Sequence, residues 1–238
     1  MRIEERIGRD GFALVAGVDM RPLLGAADAL ADWERFVASW DDLPLDIHLP
    51  EGHRYRRRRY ATLSARASES GFRVEPRQPH YQAPEYNRLV GGIERWFEPI
   101  RPEVLGGHTF RGVMAFALRL FGALRPKRDW HIECHQFRIE ARGDAAGQPT
   151  PEGVHRDGVD YVLVLLVRRV NIESGTTTVH DLDGRLLGSF TLADPFDAAL
   201  VDDARVMHGV TPVRPLDPRR PAFRDVLVVT FRAREPAG

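Results

Sequence analysis

The sequence of 238 residues is short of several features that would assign it to a class at once. It has a single cysteine, Cys134, so no disulfide can form within the chain, and we expect a reducing compartment, the cytoplasm. Its 34 basic and 34 acidic residues leave no net charge, which argues against nucleic acid or a membrane surface as a partner. The longest apolar run, residues 161–167, is too short to span a bilayer. The opening MRIEERIGRD lacks the apolar segment of a signal peptide.

What the sequence does contain is a change of pattern near residue 129. Hydrophobic residues make up 43% of the chain, enough for a substantial core. Helical spacing of apolar residues predicts helices over 3–10, 20–40, 83–99 and 104–124, with a strand at 11–15. Short apolar segments between turns then predict strands over 130–142, 159–169, 176–181, 186–192, 198–201, 205–213 and 224–232. We therefore predict one mixed α+β domain over 1–238, with a helix-rich part at 1–128 outside a closed or sandwiched β core at 129–234.

The segment PEGVHRDGVDYV places His155 and Asp157 two residues apart, directly before a predicted strand. Residues i and i+2 of a strand point to the same face, so both side chains can reach one ion. His208, in ARVMHGVTPV, is the best third ligand because it also lies where a short strand enters a turn. Two histidines and one carboxylate form the facial triad of non-haem Fe(II) oxygenases, which leaves open coordination positions. A pair of polar turn residues is the competing interpretation of His155 and Asp157.

A 2-oxo acid that chelates such an ion leaves a distal carboxylate that needs a cation, and the planar fork of arginine suits it. Arginines follow His208 in both the next loop and the last predicted strand. We favour Arg224, because it opens that strand and shares a face with Val226, Val228 and Thr230. Arg219 and Arg220, which two prolines bracket in a predicted turn, remain the alternatives.

At these residues the chain resembles a known group of enzymes. PEGVHRDGVDYV, VHDLDGRLLGSFTL, LVDDARVMHGVTPV and RDVLVVTFRA look like the 2-oxoglutarate/Fe(II)-dependent dioxygenases related to bacterial L-isoleucine hydroxylase. The resemblance implies a double-stranded β-helix (jelly-roll) with N-terminal helices packed outside. It implies hydroxylation of a free L-amino acid similar to isoleucine, leucine or methionine, with 2-oxoglutarate and O2 consumed and succinate and CO2 released. It also implies His155, Asp157 and His208 as the Fe(II) ligands and Arg224 as the 2-oxoglutarate anchor.

Further candidates line the predicted strands. Thr178 is a candidate to bind the co-substrate, with ordinary strand surface as its competing role. In WHIECHQFRIE, His135 lies on one face and Gln136 with Arg138 on the other. One face of a barrel strand points inward, so we expect one of these sets to line the substrate pocket. Cys134 is predicted to be a small buried hydrophobe.

The run HRYRRRRY, residues 53–60, is the densest basic segment. It is predicted to be a solvated face, or else to supply one arginine for the substrate carboxylate, with Tyr55 as a candidate substrate contact. Two other functions stay open at this point. One is a cupin-like metalloenzyme that does not use 2-oxoglutarate, and the other is a metal-free jelly-roll that binds a small ligand.

Overall fold

The computed structural model describes residues 2–49, 55–87, 89–143 and 145–234. Its helices are α1 (Ile3–Asp10), α2 (Gly17–Leu23), α3 (Trp33–Ala38), α4 (Pro102–Leu105) and α5 (His108–Leu124), with a 3-10 turn at Ala27–Leu30. Its strands are β1 (Phe12–Val15), β2 (Arg56–Ala65), β3 (Arg73–Val74), β4 (Trp130–Ala141), β5 (Tyr161–Val170), β6 (Ile172–Ser174), β7 (Thr176–Asp181), β8 (Leu186–Thr191), β9 (Ala198–Asp202), β10 (Val206–Val210), β11 (Val213–Pro215) and β12 (Ala222–Ala233).

The strands form one large sheet and two small ones. The large sheet has seven strands in the order β1-β9-β5-β12-β4-β2-β3, and the three-stranded sheet has the order β10-β7-β8. β11 and β6 pair separately. Every pairing between these strands is antiparallel.

The two faces of the large sheet pack against different layers. Along β5, Leu163 and Leu165 belong to the main core with the helices, whereas Val162 belongs to a cluster with Val179 and Val206 of the small sheet. This alternation follows from the two-residue period of a strand, and both faces are apolar because both are covered. The sheet is therefore sandwiched, with helices on one side and the three-stranded sheet on the other.

Helix α5 is the main element on the helix side. Its buried face includes Phe110, Val113, Phe116, Leu120 and Phe121. The first backbone N–H groups of a helix lack partners within the helix. In α5 the backbone N–H groups of His108 and Thr109 donate to the carboxylate of Asp32, the residue just before α3, at 2.9 and 2.8 Å. This capping joins two helices that are distant in the sequence.

The prediction of a mixed α+β fold with a jelly-roll core is confirmed, but two helix predictions in the first half are wrong and a third has a different start. The helix predicted over 20–40 is broken into three pieces, and at one break Gly25 has φ +135. The described residues of 83–99 form turns and isolated bridges, with the Asn87 side chain accepting the N–H groups of Leu89 and Val90 and the Arg95 backbone paired with that of His80. The helix predicted over 104–124 begins only at His108, after the separate short α4.

The helix-rich part of the chain also supplies β1, β2 and β3 to the large sheet. Residues 56–60 of the basic run lie in β2, which pairs with β4, while residues 53–54 of that run lie outside the described residues. The prediction of a solvated face is wrong for Arg56 and Arg58, which are buried. Within the described residues, no helix is long and apolar enough to cross a membrane. Cys134 is fully buried and not in a disulfide, as predicted for a small hydrophobe.

Candidate metal centre

Backbone pairing brings the two histidines together. His155 lies in the segment before β5, and its N–H and C=O exchange hydrogen bonds of 2.9 Å with the C=O and N–H of His208 on β10. Asp157 then reaches both rings: its Oδ1 lies 3.6 Å from His155 Nε2, and its Oδ2 lies 3.6 Å from His208 Nε2. The three side chains offer ligand atoms within 4.8 Å of one another. Such a group has the composition and spacing of a two-histidine, one-carboxylate metal site.

The polar partners orient these ligands. His155 Nδ1 lies 3.0 Å from the carbonyl oxygen of Gly153, so a proton on Nδ1 is donated there and Nε2 faces Asp157. Burial raises the pKa of Asp157, but hydrogen bonding to His155 and the nearby His208 outweigh it and hold the pKa at about 2. Asp157 is therefore a carboxylate at neutral pH, which is the form that binds a metal ion. Burial lowers the pKa of His208 to about 4, so this ring is neutral and also able to bind a metal.

Asp203 holds the segment that carries Asp157. Its carboxylate is fully buried and accepts the backbone N–H groups of Asp157, Gly158 and Val159 at 2.9, 2.8 and 3.1 Å. Gly158 has φ +76, a conformation that favours glycine, and a Cβ there would lie 2.6 Å from the Tyr86 ring. Strand β5 begins only at Tyr161, so the metal-ligating residues His155 and Asp157 lie in the loop before it. A buried carboxylate and a glycine hold this loop in shape.

A cavity between the two sheets joins the three ligands to a buried arginine. Its apolar wall is formed by Val159, Val162, Val164, Val210, Val226 and Val228. Arg224 of β12 also lines it and is 2% exposed. Among the described residues, its Nε and Nη2 have no hydrogen-bond partner. Burial, with a contribution from Arg169, lowers the pKa of Arg224 to about 10, so it stays charged at neutral pH. A buried, unpaired cation is costly and indicates an anionic ligand.

A second polar group, the arginine cluster of Arg56, Arg58 and Arg95, lines the same cavity. Arg56 is paired with the buried Asp46 at 2.8 Å. Arg58 is 3.7 Å from the same carboxylate, donates to His135 Nδ1 at 2.6 Å and lies over the Phe97 ring.

His80, Glu133 and His135 form another group with metal-ligand spacing in this cavity. Two features make it a poorer metal site than the first. The guanidinium of Arg58 lies 2.6 Å from His135 Nδ1 and would repel a metal cation. Glu133 is already engaged, since it accepts from Tyr60 Oη at 2.7 Å and lies 3.1 Å from His80 Nδ1. Acidic neighbours surround the first group instead: Glu152 Oε1 is 3.4 Å from His155 Nε2.

The other predicted site residues divide between this cavity and other surfaces. His135 lines the cavity, but Gln136 and Arg138 lie on the helix side of β4, where they bond Ser39 and Asp225. Because adjacent strand residues face opposite sides, they cannot share the cavity with His135.

Thr178, Tyr55, Arg219 and Arg220 also do not line the cavity. Thr178 alternates with the buried core residue Val179, which fixes it on the outer face of β7. Tyr55 packs against a separate cluster that includes Ile139. Arg219 and Arg220 are exposed, and Arg219 pairs with Asp217.

Several cavity residues carried no recognisable pattern in the sequence. Gln82 Nε2 lies 3.5 Å from Asp157 Oδ1, and Gln82 Oε1 accepts from Arg95 Nη2 at 2.9 Å. Arg95 comes from the segment predicted to be a helix, Gln82 directly precedes that segment, and Asp203 lies in a turn after β9. The available signal was the polar run QPHYQ at 78–82, just before the predicted helix.

The sequence is similar to those of known proteins. A sequence model described as 2OG-Fe dioxygenase matches residues 37–230. Over 246 residues the chain is 25% identical to 3(1)-hydroxy-L-isoleucine 4-dioxygenase of Pantoea ananatis, which covers 99% of this chain and 97% of that protein. It is 26% identical to L-isoleucine-4-hydroxylase of Bacillus thuringiensis over 184 residues, 76% of each chain.

Solved structures are similar over nearly the whole length. A bsmA homolog from Methylobium petroleophilum PM1 is 36% identical, with a TM-score of 0.88 over 99% of this chain and 94% of that chain. IDO from Bacillus thuringiensis has a TM-score of 0.82 over 98% of each chain at 18% identity, a likeness of fold. Because the family pattern extends over most of the sequence, this chain belongs to the 2OG-Fe dioxygenase family.

Proposed function

We propose that this chain hydroxylates an aliphatic C–H bond of a free L-amino acid. As a member of its family it is an enzyme that uses Fe(II), 2-oxoglutarate and O2. Relatives named for isoleucine and hydroxy-isoleucine support an amino acid with an aliphatic side chain as the substrate. The observation that carries the proposal is a single cavity lined by three metal-ligating side chains, a buried arginine and six valines.

The donor set fits iron. His155, Asp157 and His208 would hold it through two imidazoles and one carboxylate on one side of the ion. Bound there, iron supplies the oxidising chemistry that uses O2 and 2-oxoglutarate. The chain's own contribution is to fix the ligands. Gly153 and Asp203 do so through hydrogen bonds to His155 and to the Asp157 segment.

Arg224 would bind the distal carboxylate of 2-oxoglutarate. Its unpaired Nε and Nη2 are both donors of the guanidinium fork, and a carboxylate accepts two such donors side by side. The ligand would thereby remove an uncompensated charge from the core. The pairing also fixes the end of 2-oxoglutarate that does not react.

The valine wall would position the substrate. Val159, Val162 and Val164 line the same cavity as the metal ligands, and their side chains present no group that can hydrogen-bond. An aliphatic side chain buries its surface there, at about 25 cal/mol per Å² removed from water. The same wall keeps water from the reacting carbon.

The experiment is a screen of the twenty L-amino acids for succinate formation by the Fe(II)-loaded protein. One or a few aliphatic amino acids should stimulate 2-oxoglutarate turnover, and mass spectrometry should find the matching amino acid heavier by one oxygen atom. Asp157→Ala should abolish both signals. Turnover that no amino acid changes would refute the proposed substrate class.

The two alternatives that the sequence left open receive less support. A cupin-like metalloenzyme that does not use 2-oxoglutarate would have no need for Arg224, and a metal-free binding protein would have no need for His155, Asp157 and His208. Membership of the family argues against both. We further propose that residues 1–238 act as one domain and that the enzyme works in the cytoplasm, as its single cysteine suggests.

A further inference from the structure

We propose that Arg58 and Arg95 form the subsite for the carboxylate of the amino-acid substrate. The inference rests on the proposed function, and it deepens that function by naming the groups that recognise the amino-acid backbone. It gives a role to Arg58 and Arg95 of the arginine cluster, which neither iron binding nor 2-oxoglutarate binding requires.

The first observation is that both guanidiniums are buried with unused donors. Arg58 is 2% exposed and Arg95 is 1% exposed. Nε of each has no hydrogen-bond partner in the part of the chain that the structure describes. An unpaired donor on a buried cation costs free energy unless a ligand accepts from it. Both residues line the cavity, so a ligand there can do so.

The second observation is a charge imbalance. Asp46 is the carboxylate beside the cluster, and Arg56 takes its Oδ2 with two contacts of 2.8 and 2.9 Å. Arg58 is left at 3.7 Å from that oxygen, and Arg95 donates only to the neutral Gln82 among the contacts described. Burial lowers the pKa of Arg58 to about 9 and that of Arg95 to about 10, so both remain charged at neutral pH. The charges of Glu133 and Glu152 also act on Arg95, but among the described contacts neither carboxylate pairs directly with Arg58 or Arg95. Two cations therefore face the cavity without a close ion pair of their own.

The third observation places the subsite relative to the metal ligands. Gln82 accepts from Arg95 Nη2 and lies 3.5 Å from Asp157 Oδ1. One side-chain amide thus separates the guanidinium from the iron ligand. A small molecule whose carboxylate binds Arg95 would therefore lie beside the metal ligands, as the substrate of this reaction must.

The geometry also distinguishes this subsite from the 2-oxoglutarate anchor. Arg224 lies on β12, and Arg58 lies on β2, with β4 between them in the sheet order. Two separate buried cationic groups on one cavity match two separate carboxylates. One belongs to the co-substrate and the other to the substrate.

The test compares each L-amino acid with its carboxamide. Binding is measured by anaerobic calorimetry on the unsubstituted protein loaded with Fe(II) and 2-oxoglutarate, beginning with L-isoleucine, L-leucine and L-methionine. The carboxamide keeps the side chain and the ammonium group but removes the negative charge. We expect it to bind about 100-fold more weakly or worse, because it leaves buried guanidiniums unpaired. Equal affinity for acid and amide would overturn the subsite, and this comparison requires no variant.

Variants then locate the effect. Arg95→Met and Arg58→Met should each weaken amino-acid binding strongly and reduce the discrimination between acid and amide. Arg95→Lys should restore part of the affinity, because it restores the charge but not the fork. The matched control is Arg57→Met, since Arg57 neighbours Arg58 on β2 but pairs with Glu140 instead of lining the cavity.

The outcomes separate the subsite from the proposed function. Amino-acid turnover with unchanged acid-to-amide discrimination in Arg95→Met and Arg58→Met would leave the function standing and overturn the subsite. A raised KM for 2-oxoglutarate, with the amino-acid KM unchanged, would assign these arginines to the co-substrate and also overturn it. Failure of every amino acid to bind and to be oxidised would overturn the function and the subsite together.

Discussion

Replacing Arg224 with methionine should have opposite effects on the free protein and on 2-oxoglutarate binding. The pKa of Arg224 falls from 12.5 to about 10 on folding, chiefly because it is buried. A cation whose folded pKa is lowered destabilises the fold at every pH below that value, here by roughly 3 kcal/mol. Methionine of similar length removes this cost. We therefore expect Arg224→Met without ligand to be at least as stable as the unsubstituted protein.

The ligand effect has the other sign. Without Arg224, the distal carboxylate of 2-oxoglutarate would be buried with no partner, a loss of about 3–5 kcal/mol for breaking a buried pair. That corresponds to a KM for 2-oxoglutarate raised roughly 100- to 1000-fold or more. A saturating ligand at about 100 times its Kd stabilises a protein by about 2.7 kcal/mol, or roughly 5–10 °C in Tm for a chain of this size. This Tm gain should disappear in Arg224→Met.

The assays are succinate formation against 2-oxoglutarate concentration and thermal unfolding with and without 2-oxoglutarate in the presence of Fe(II) under anaerobic conditions. Arg219→Met and Arg220→Met are matched controls, since both arginines are exposed and do not line the cavity. If the KM of Arg224→Met for 2-oxoglutarate stayed within twofold of that of the unsubstituted protein, Arg224 would not be the anchor. A rise in this KM in Arg220→Met alone would lead to the same conclusion.

Three further substitutions test the ligand loop. Asp203→Asn should weaken Fe(II) binding about 10- to 100-fold while the protein stays folded, because it replaces the carboxylate that holds the Asp157 segment. Calorimetry with Fe(II) measures the affinity, and an unchanged affinity would exclude a positioning role for Asp203. Asp157→Ala should abolish Fe(II)-dependent succinate formation, and normal turnover would remove this residue from the metal site. Gly158→Ala should lower the free energy of unfolding in urea by more than the roughly 1–2 kcal/mol of a left-handed backbone, since its Cβ would meet Tyr86. Gly153→Ala is the control, with φ +83 and open space around it, and an equal loss in both would rule out the contact.

The parts of the site that the sequence could predict are those governed by short-range spacing. Strand alternation puts Arg224, Val226, Val228 and Thr230 on one face, and all four line the cavity. The spacing of His155 and Asp157 likewise brings their side chains together. The reason differs from the prediction, because the segment is not a continuous strand and is held by bonds to His208 and Asp203.

The parts that could not be predicted depend on distant pairings. The basic composition of residues 56–59 conceals that β2 pairs with residues 130–139 of β4, and this pairing turns Arg56 and Arg58 toward the cavity. Residues 83–99 have helical spacing, yet the Asn87 side chain bonds the following turn and Arg95 pairs its backbone with that of His80. Asp203 meets Asp157 across 46 residues of sequence, a contact that no local pattern encodes.

Oxidation of the preferred amino acid under ¹⁸O2 is the decisive measurement of amino-acid hydroxylation by this chain. We expect one labelled oxygen atom in the amino acid and one in succinate, with the two products formed in equal amounts, and neither product in Asp157→Ala. Succinate formed without any labelled amino acid, for all twenty candidates, would contradict the proposed hydroxylation.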